Sequence, residues 1–260
     1  MSKRSRRKRL PQPVSGITIE SLSHDGRGVA HRDGKADFID GALPGEVVSF
    51  EYRATRRRFD EGRVTAVMQA SPVRVQPRCP HFGLCGGCSL QHMESAAQIS
   101  AKQQTLLDNL KHIGKVVPQT VLPVLTGPVW GYRTKGRLGV KDVIKKGRVL
   151  VGFREKHSPF VADLATCEVL HPSVGRRIEE LAQLLGQLEA RARIPQIEVA
   201  VAGSITALVF RHLDPFSQAD CDRLKHYAMV QGLHIFLQPG GPDSVQPLWP
   251  EQSVLSYQLP

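Results

Sequence analysis

Between Val14 and Met68 apolar and polar residues alternate over short stretches, at 17–20, 36–39, 46–52 and 62–67. Turn formers separate them at Asp25-Gly26, Asp33-Gly34, Pro44-Gly45 and Asp60-Glu61-Gly62. Period-two alternation broken by such turns, with no helical period, predicts a small antiparallel β-barrel of OB type over 14–70. The rhythm then changes. Ile99, Leu106, Leu110 and Ile113 fall on one face of a helix over 95–113, with Ser95 and Gln98 as its capping box and Gly114 as its stop. A second helix starts near Pro172 and carries Val174, Ile178, Leu181, Leu185 and Leu188. A third runs over 217–232, with Asp220 completing its cap and Cys221, Leu224 and Ala228 facing inward. Strands are expected at 132–140, 148–154, 196–202, 205–212 and 233–238. The chain is therefore expected to be α+β and multidomain, with a mainly antiparallel sheet in a second domain over 71–260 that includes the linking helix.

Charge narrows the partners. Lys and Arg number 35 against 24 acidic residues, a net charge of +11, which favours a polyanion and nucleic acid before membrane. Residues 1–13 read as a disordered basic arm, Lys3-Arg4-Ser5-Arg6-Arg7-Lys8-Arg9 before Pro11 and Pro13, serving as a solubilising tail or a phosphate tether. No apolar run approaches the ~18 residues of a membrane helix, and none follows the basic start as a signal peptide requires. Five cysteines, three of them within ten residues, do not form a secreted disulfide framework. A reducing cytoplasm is the expected compartment and a monomer the expected state.

The cysteines carry the sharpest chemistry. Cys79, Cys85 and Cys88 are spaced C-x5-C-x2-C, with Pro80, Gly83, Gly86 and Gly87 shaping a tight backbone around them. Three clustered thiolates and a distant fourth suit an iron–sulfur cluster, or less typically zinc, which usually draws on two close cysteine pairs. Cys167 lies in a loop between a strand and a helix, whereas Cys221 sits on an apolar helical stripe. Position therefore favours Cys167 as the fourth ligand. A radical cluster that activates S-adenosylmethionine would leave one iron open and usually uses C-x3-C-x2-C spacing; a structural cluster is the better reading here.

Two groups of cations suit RNA. Arg56, Arg57 and Arg58 stand beside Phe59 in one turn, offering phosphates charge and a base a stacking face. Arg133, Lys135, Arg137 and Lys141 alternate along one strand face, with Tyr132, Leu138 and Val140 on the other, and Lys145, Lys146 and Arg148 follow in the next turn. A solvated loop and an edge strand guarded by charge are the plainer alternatives. The histidines form no metal or catalytic pattern.

Taken together, Leu22-Ser23-His24-Asp25-Gly26-Arg27-Gly28-Val29-Ala30 with Leu43-Pro44-Gly45-Glu46 resembles the TRAM domain, an OB-like RNA-binding barrel. TRAM followed by the cysteine motif, Trp130-x-Tyr132-Arg133-x-Lys135 and a late cysteine resembles bacterial RNA uracil-C5 methyltransferases, nearest the type that modifies 23S ribosomal RNA. The resemblance implies a [4Fe–4S] cluster on Cys79, Cys85, Cys88 and Cys167, and S-adenosylmethionine as methyl donor. It also implies a nucleophilic cysteine and a general base in a C-terminal Rossmann-like domain. That domain is expected to be absent from these 260 residues, so no catalytic residue is assigned and the chain alone is expected to bind RNA without methylating it. A non-catalytic RNA-binding iron–sulfur protein, a tRNA uracil-C5 methyltransferase and a radical methylthiotransferase are the alternative readings.

Overall fold

A computed structural model describes residues 10–253 and 255–256, so most of the expected basic arm lies outside the described residues. The chain is mixed α+β with two six-stranded sheets. It divides into two compact units, residues 1–78 with 88–125, and residues 79–87 with 126–260.

In the first unit, strands β1 (Val14–Thr18), β2 (Ser21–Leu22), β3 (Gly28–Arg32), β4 (Lys35–Asp40), β5 (Val47–Thr55) and β6 (Phe59–Gln69) form a sheet of order β1-β5-β6-β4-β3-β2. The expected antiparallel barrel is corrected: β4 and β6 pair in parallel, and no ladder joins β1 to β2 among the described residues. Instead one segment supplies both edges. Ile19 N–H donates to the Glu46 carbonyl and the next residue, Glu20, to that of Val29, so the chain hands over from β5 to β3 within two residues. Alternation on β5 buries Val48, Phe50 and Tyr52 with Ile19, Ala30 and Ile39 in a small core. Each fully buried side chain of this size contributes about 1.5–3 kcal/mol. Gly62 of β6 makes room for it, since a Cβ there would lie 2.5 Å from the Phe50 ring.

Glu46 is fully buried at the edge of this core and ties it to the chain beyond β6. Its carboxylate accepts from Arg74 Nε and Nη2 at 2.5 and 2.7 Å and from the backbone N–H groups of Leu43 and Ser71. Burial alone would raise its pKa, but Arg74 and the two N–H groups outweigh that and hold it below the usual value.

Helix α1 (Ser95–His112) matches its expected span, but the capping box does not form. Glu94 is the N-cap residue without a side-chain bond, and Gln98 Nε2 donates instead to the carbonyls of Leu90 and Met93. No α1 side chain is buried, and Leu106 and Ile113 of the expected inner face are exposed.

The second unit is a sheet of order β12-β11-β10-β9-β7-β8, from β7 (Lys135–Val143), β8 (Arg148–Gly152), β9 (Gln196–Ala202), β10 (Ile205–Arg211), β11 (His234–Gln238) and β12 (Gln246–Trp249). All its pairs are antiparallel except β10 with β11, which α4 (Gln218–Gln231) connects. The second expected helix is two pieces, α2 (Pro172–Gly175) and α3 (Ile178–Gly186). Val174, Ile178, Leu181, Leu185, Leu188, Leu224 and Ala228 join Leu138, Ile197, Leu208 and Phe210 in one core. On α4, Ser217 caps the helix by accepting from Asp220 N–H, while the buried Asp220 carboxylate accepts from Glu189 and Ala190 N–H in the α3–β9 connection. Asp220 therefore anchors a distant loop rather than only its own helix.

Candidate functional site: the thiol loop and the basic surfaces

The first seven residues of the cysteine loop plus Gly86 and Gly87 belong to the second unit; Cys88 falls in the first. The loop winds tightly: Phe82 N–H donates to Cys79 O, Cys85 N–H to His81 O, and Gly83 takes φ +90°. It then runs beside the segment after β8. Gly86 N–H donates to Arg154 O and Lys156 N–H to Leu84 O, each at 2.8 Å. A Cβ at Gly86 would lie 2.9 Å from the Arg154 carbonyl, so only glycine permits this approach. Gly87 N–H donates to Cys85 Sγ at 3.4 Å, the kind of contact that lowers the cost of negative charge on sulfur.

Cys167 belongs to the same unit as the first nine residues of the loop. Its N–H donates to Gly175 O, and His81 Nε2 accepts from Ala165 N–H, joining the cysteine loop to the Cys167 segment. Cys85 and Cys167 both pack against the second core. All five cysteines are half-buried and none is in a disulfide. Among the described residues no group of three or more Cys, His, Asp or Glu stands ready to hold a metal ion. The donor chemistry suits a thiolate-held cluster, while the described geometry holds no formed metal site. Burial raises the pKa of the Cys221 thiol, which makes it a poor thiolate donor.

The cationic residues are placed as follows. Arg56, Arg57 and Arg58 are exposed in the β5–β6 turn, where Arg56 N–H donates to Phe59 O and to Asp60 Oδ1. Phe59 is half-buried, edge-to-face with Phe38 at 5.6 Å between ring centres. The Arg27 guanidinium lies 4.8 Å over Phe38 and is held by Asp25 and Glu61. Phe38 and Arg27 were not among the expected RNA contacts; a lone aromatic on a strand and a glycine-flanked arginine give no separate sequence signal.

On β7, Lys135, Arg137 and Lys141 are exposed while Leu138 and Val140 are buried, as alternation requires. Arg137 is paired with Glu198 at 2.8 Å. Arg133 precedes the strand, with its guanidinium 4.7 Å over the Phe153 ring and its Nε donating to Lys135 O. Tyr132 is corrected: it lies outside the strand and is exposed. Lys146 and Arg148 do not extend a free patch, since both pair with Asp163, and Arg148 also with Glu179. The Lys146 ammonium, then Arg148, holds the Asp163 carboxyl below its usual pKa.

No protein-family profile matches the chain. It is 53% identical over 247 residues to the 23S rRNA (uracil(1939)-C(5))-methyltransferase RlmD of Alcanivorax borkumensis, covering 95% of this chain and 56% of that protein. Against the RlmD proteins of Nitrosococcus oceani and Xanthomonas campestris identity is 53% and 52%, covering 99% and 98% of this chain and 58% of each. Among solved structures, Pyrococcus abyssi tRNA (uracil-54, C5)-methyltransferase with S-adenosyl-L-homocysteine matches at TM-score 0.58 and 18% identity. That match covers 86% of this chain and 50% of the other, and at this identity it shows shared fold alone. The chain thus spans a little over half the length of the curated relatives it matches. Half of its residues are identical to theirs along nearly its whole length, so this chain is similar to the matching part of the 23S rRNA (uracil-C5)-methyltransferases named RlmD.

Proposed function

We propose that this chain is the RNA-recognising and cluster-bearing portion of a 23S rRNA uracil-C5 methyltransferase. The observation that carries the reading is 52–53% identity, over nearly all of the chain, to proteins named for that reaction. Exposed cations on both units support it. Arg56, Arg57 and Arg58 with Phe59, and Lys135 and Lys141 with Arg133 and Arg137, are assigned to phosphate and base contact. Residues 14–70 act as the TRAM module and 71–260 as the cluster-bearing module, in a cytoplasmic monomer with no membrane role.

Cys79, Cys85, Cys88 and Cys167 are assigned as ligands of a [4Fe–4S] cluster whose role is structural. The cluster supplies no reaction step; the four thiolates fasten the loop to the Cys167 segment. Transfer of the methyl group from S-adenosylmethionine to uracil C5 is assigned to the part of the relatives outside the match, and this chain alone is expected to be inactive. Here the chain's work is to hold RNA so that one uridine is presented.

Affinity for a 23S rRNA fragment is expected to fall linearly, on logarithmic axes, with salt. Arg56→Ala, Arg57→Ala and Arg58→Ala together should reduce that slope by about 2, at ~0.7–0.9 per phosphate contact. Filter binding across a salt series measures it, and a flat response in the unaltered chain overturns the RNA reading. Protein purified without oxygen is expected to carry iron and sulfide, and Cys85→Ser to lose both. Iron-free protein after anaerobic reconstitution overturns the cluster assignment.

A further inference from the structure

Beyond β8 the chain makes a tight hairpin that neither basic surface includes. Its stem pairs Arg154 with Val161, Glu155 N–H donates to Phe160 O, and Ala162 N–H donates to Phe153 O, the last two at 2.9 Å. Phe160 N–H donates to Ser158 Oγ, Arg154 Nη1 to Pro159 O, and His157 takes the left-handed φ of +59° that turns the tip. The outer side of the stem is clamped by the cysteine loop through the Gly86–Arg154 and Leu84–Lys156 bonds, and the Lys156 ammonium stands 5.4 Å over the Phe82 ring of that loop. A stem so fixed leaves the tip little freedom.

At that tip Phe160 is 69% exposed. Its neighbours Arg154 and His157 are exposed too, and Lys156 is half-buried. A single exposed aliphatic residue is ordinary. An exposed aromatic ring on a clamped hairpin, among cationic side chains, has the composition of a stacking site for an unpaired base beside its phosphate.

We propose that Phe160 is a base-stacking residue: the hairpin places its ring against one unpaired nucleobase of bound RNA, with Arg154 and Lys156 beside the backbone. The inference rests on the RNA-binding reading above. Because stacking is indifferent to sequence and neutralises no phosphate, Phe160 contributes affinity but no salt dependence.

The test uses the chain as purified, a single-stranded RNA oligonucleotide carrying 2-aminopurine at successive positions, and a salt series. Phe160→Ala is expected to weaken binding roughly tenfold, as loss of one base stack does. The salt slope should be unchanged, and quenching of 2-aminopurine should be lost at one position. Phe160→Trp is expected to retain both affinity and quenching, which a purely structural role for the ring would not produce. Phe160 is exposed, so an unchanged circular dichroism spectrum should accompany both variants. Equal affinity of Phe160→Ala and the unaltered chain, with the unaltered chain binding RNA, overturns this inference alone. Failure of the unaltered chain to bind any RNA overturns the RNA reading and this inference with it.

Discussion

Glu46→Ala is expected to destabilise the first unit by about 3–5 kcal/mol, the usual cost of removing one partner from a buried ion pair. The loss leaves Arg74 facing a cavity and strips the N–H groups of Leu43 and Ser71 of their acceptor. Both tryptophans, Trp130 and Trp249, lie in the second unit. The effect should therefore appear as faster amide exchange along β5 while tryptophan fluorescence unfolds at its former denaturant concentration. Unchanged β5 protection would refute the role given to Glu46. The sign with pH follows from its depressed folded value. Its stabilisation is complete above the ordinary glutamate pKa of 4.5 and is lost as acid takes the pH down through the folded value. Glu46→Gln should remove that part of the acid dependence.

Gly175→Ala is expected to strike the second unit. A Cβ at this position would overlap the Cys167 carbonyl oxygen and lie 2.9 Å from that of Leu170. Both obstacles are backbone, so no rotamer change relieves them, and the α2 end must move away from the Cys167 segment. The expected cost is at or above the upper end of the ~1–3 kcal/mol typical of overpacking. It would also break the bond from Cys167 N–H to Gly175 O. Denaturation followed by tryptophan fluorescence measures the loss. A midpoint within error of the unaltered chain would show that the segment yields freely.

Where the pattern was strong, the sequence was readable. The β9 boundaries coincide with expectation at both ends, and β5, β10, β11, α1 and α4 differ by a few residues or less. β3 escaped because Gly26 and Gly28 made its start look like turn. β12 escaped because Pro247 argues against a strand; it is tolerated since, among the described residues, β12 is an edge paired with β11 alone. The break between α2 and α3 was hidden, as Val174 and Ile178 keep helical spacing across it. At the candidate site, the cysteine spacing pointed to the loop, but not to its clamp on 154–156, because backbone bonds between distant segments leave no side-chain signature. The same holds for Lys146 and Arg148, whose acidic partners are separated from them in sequence.

One segment, 14–22, borders β5 with its first half and β3 with its second. It works as the zip of a garment: parting β2, only two residues long, bares the rim of β3, and peeling on through β1 bares that of β5 as well. Each rim would then show a row of unsatisfied amides and carbonyls open to a strand from another molecule. Whatever tugs at this stretch, heat or a proteolytic nick, therefore turns a self-contained module into one that sticks to its own kind.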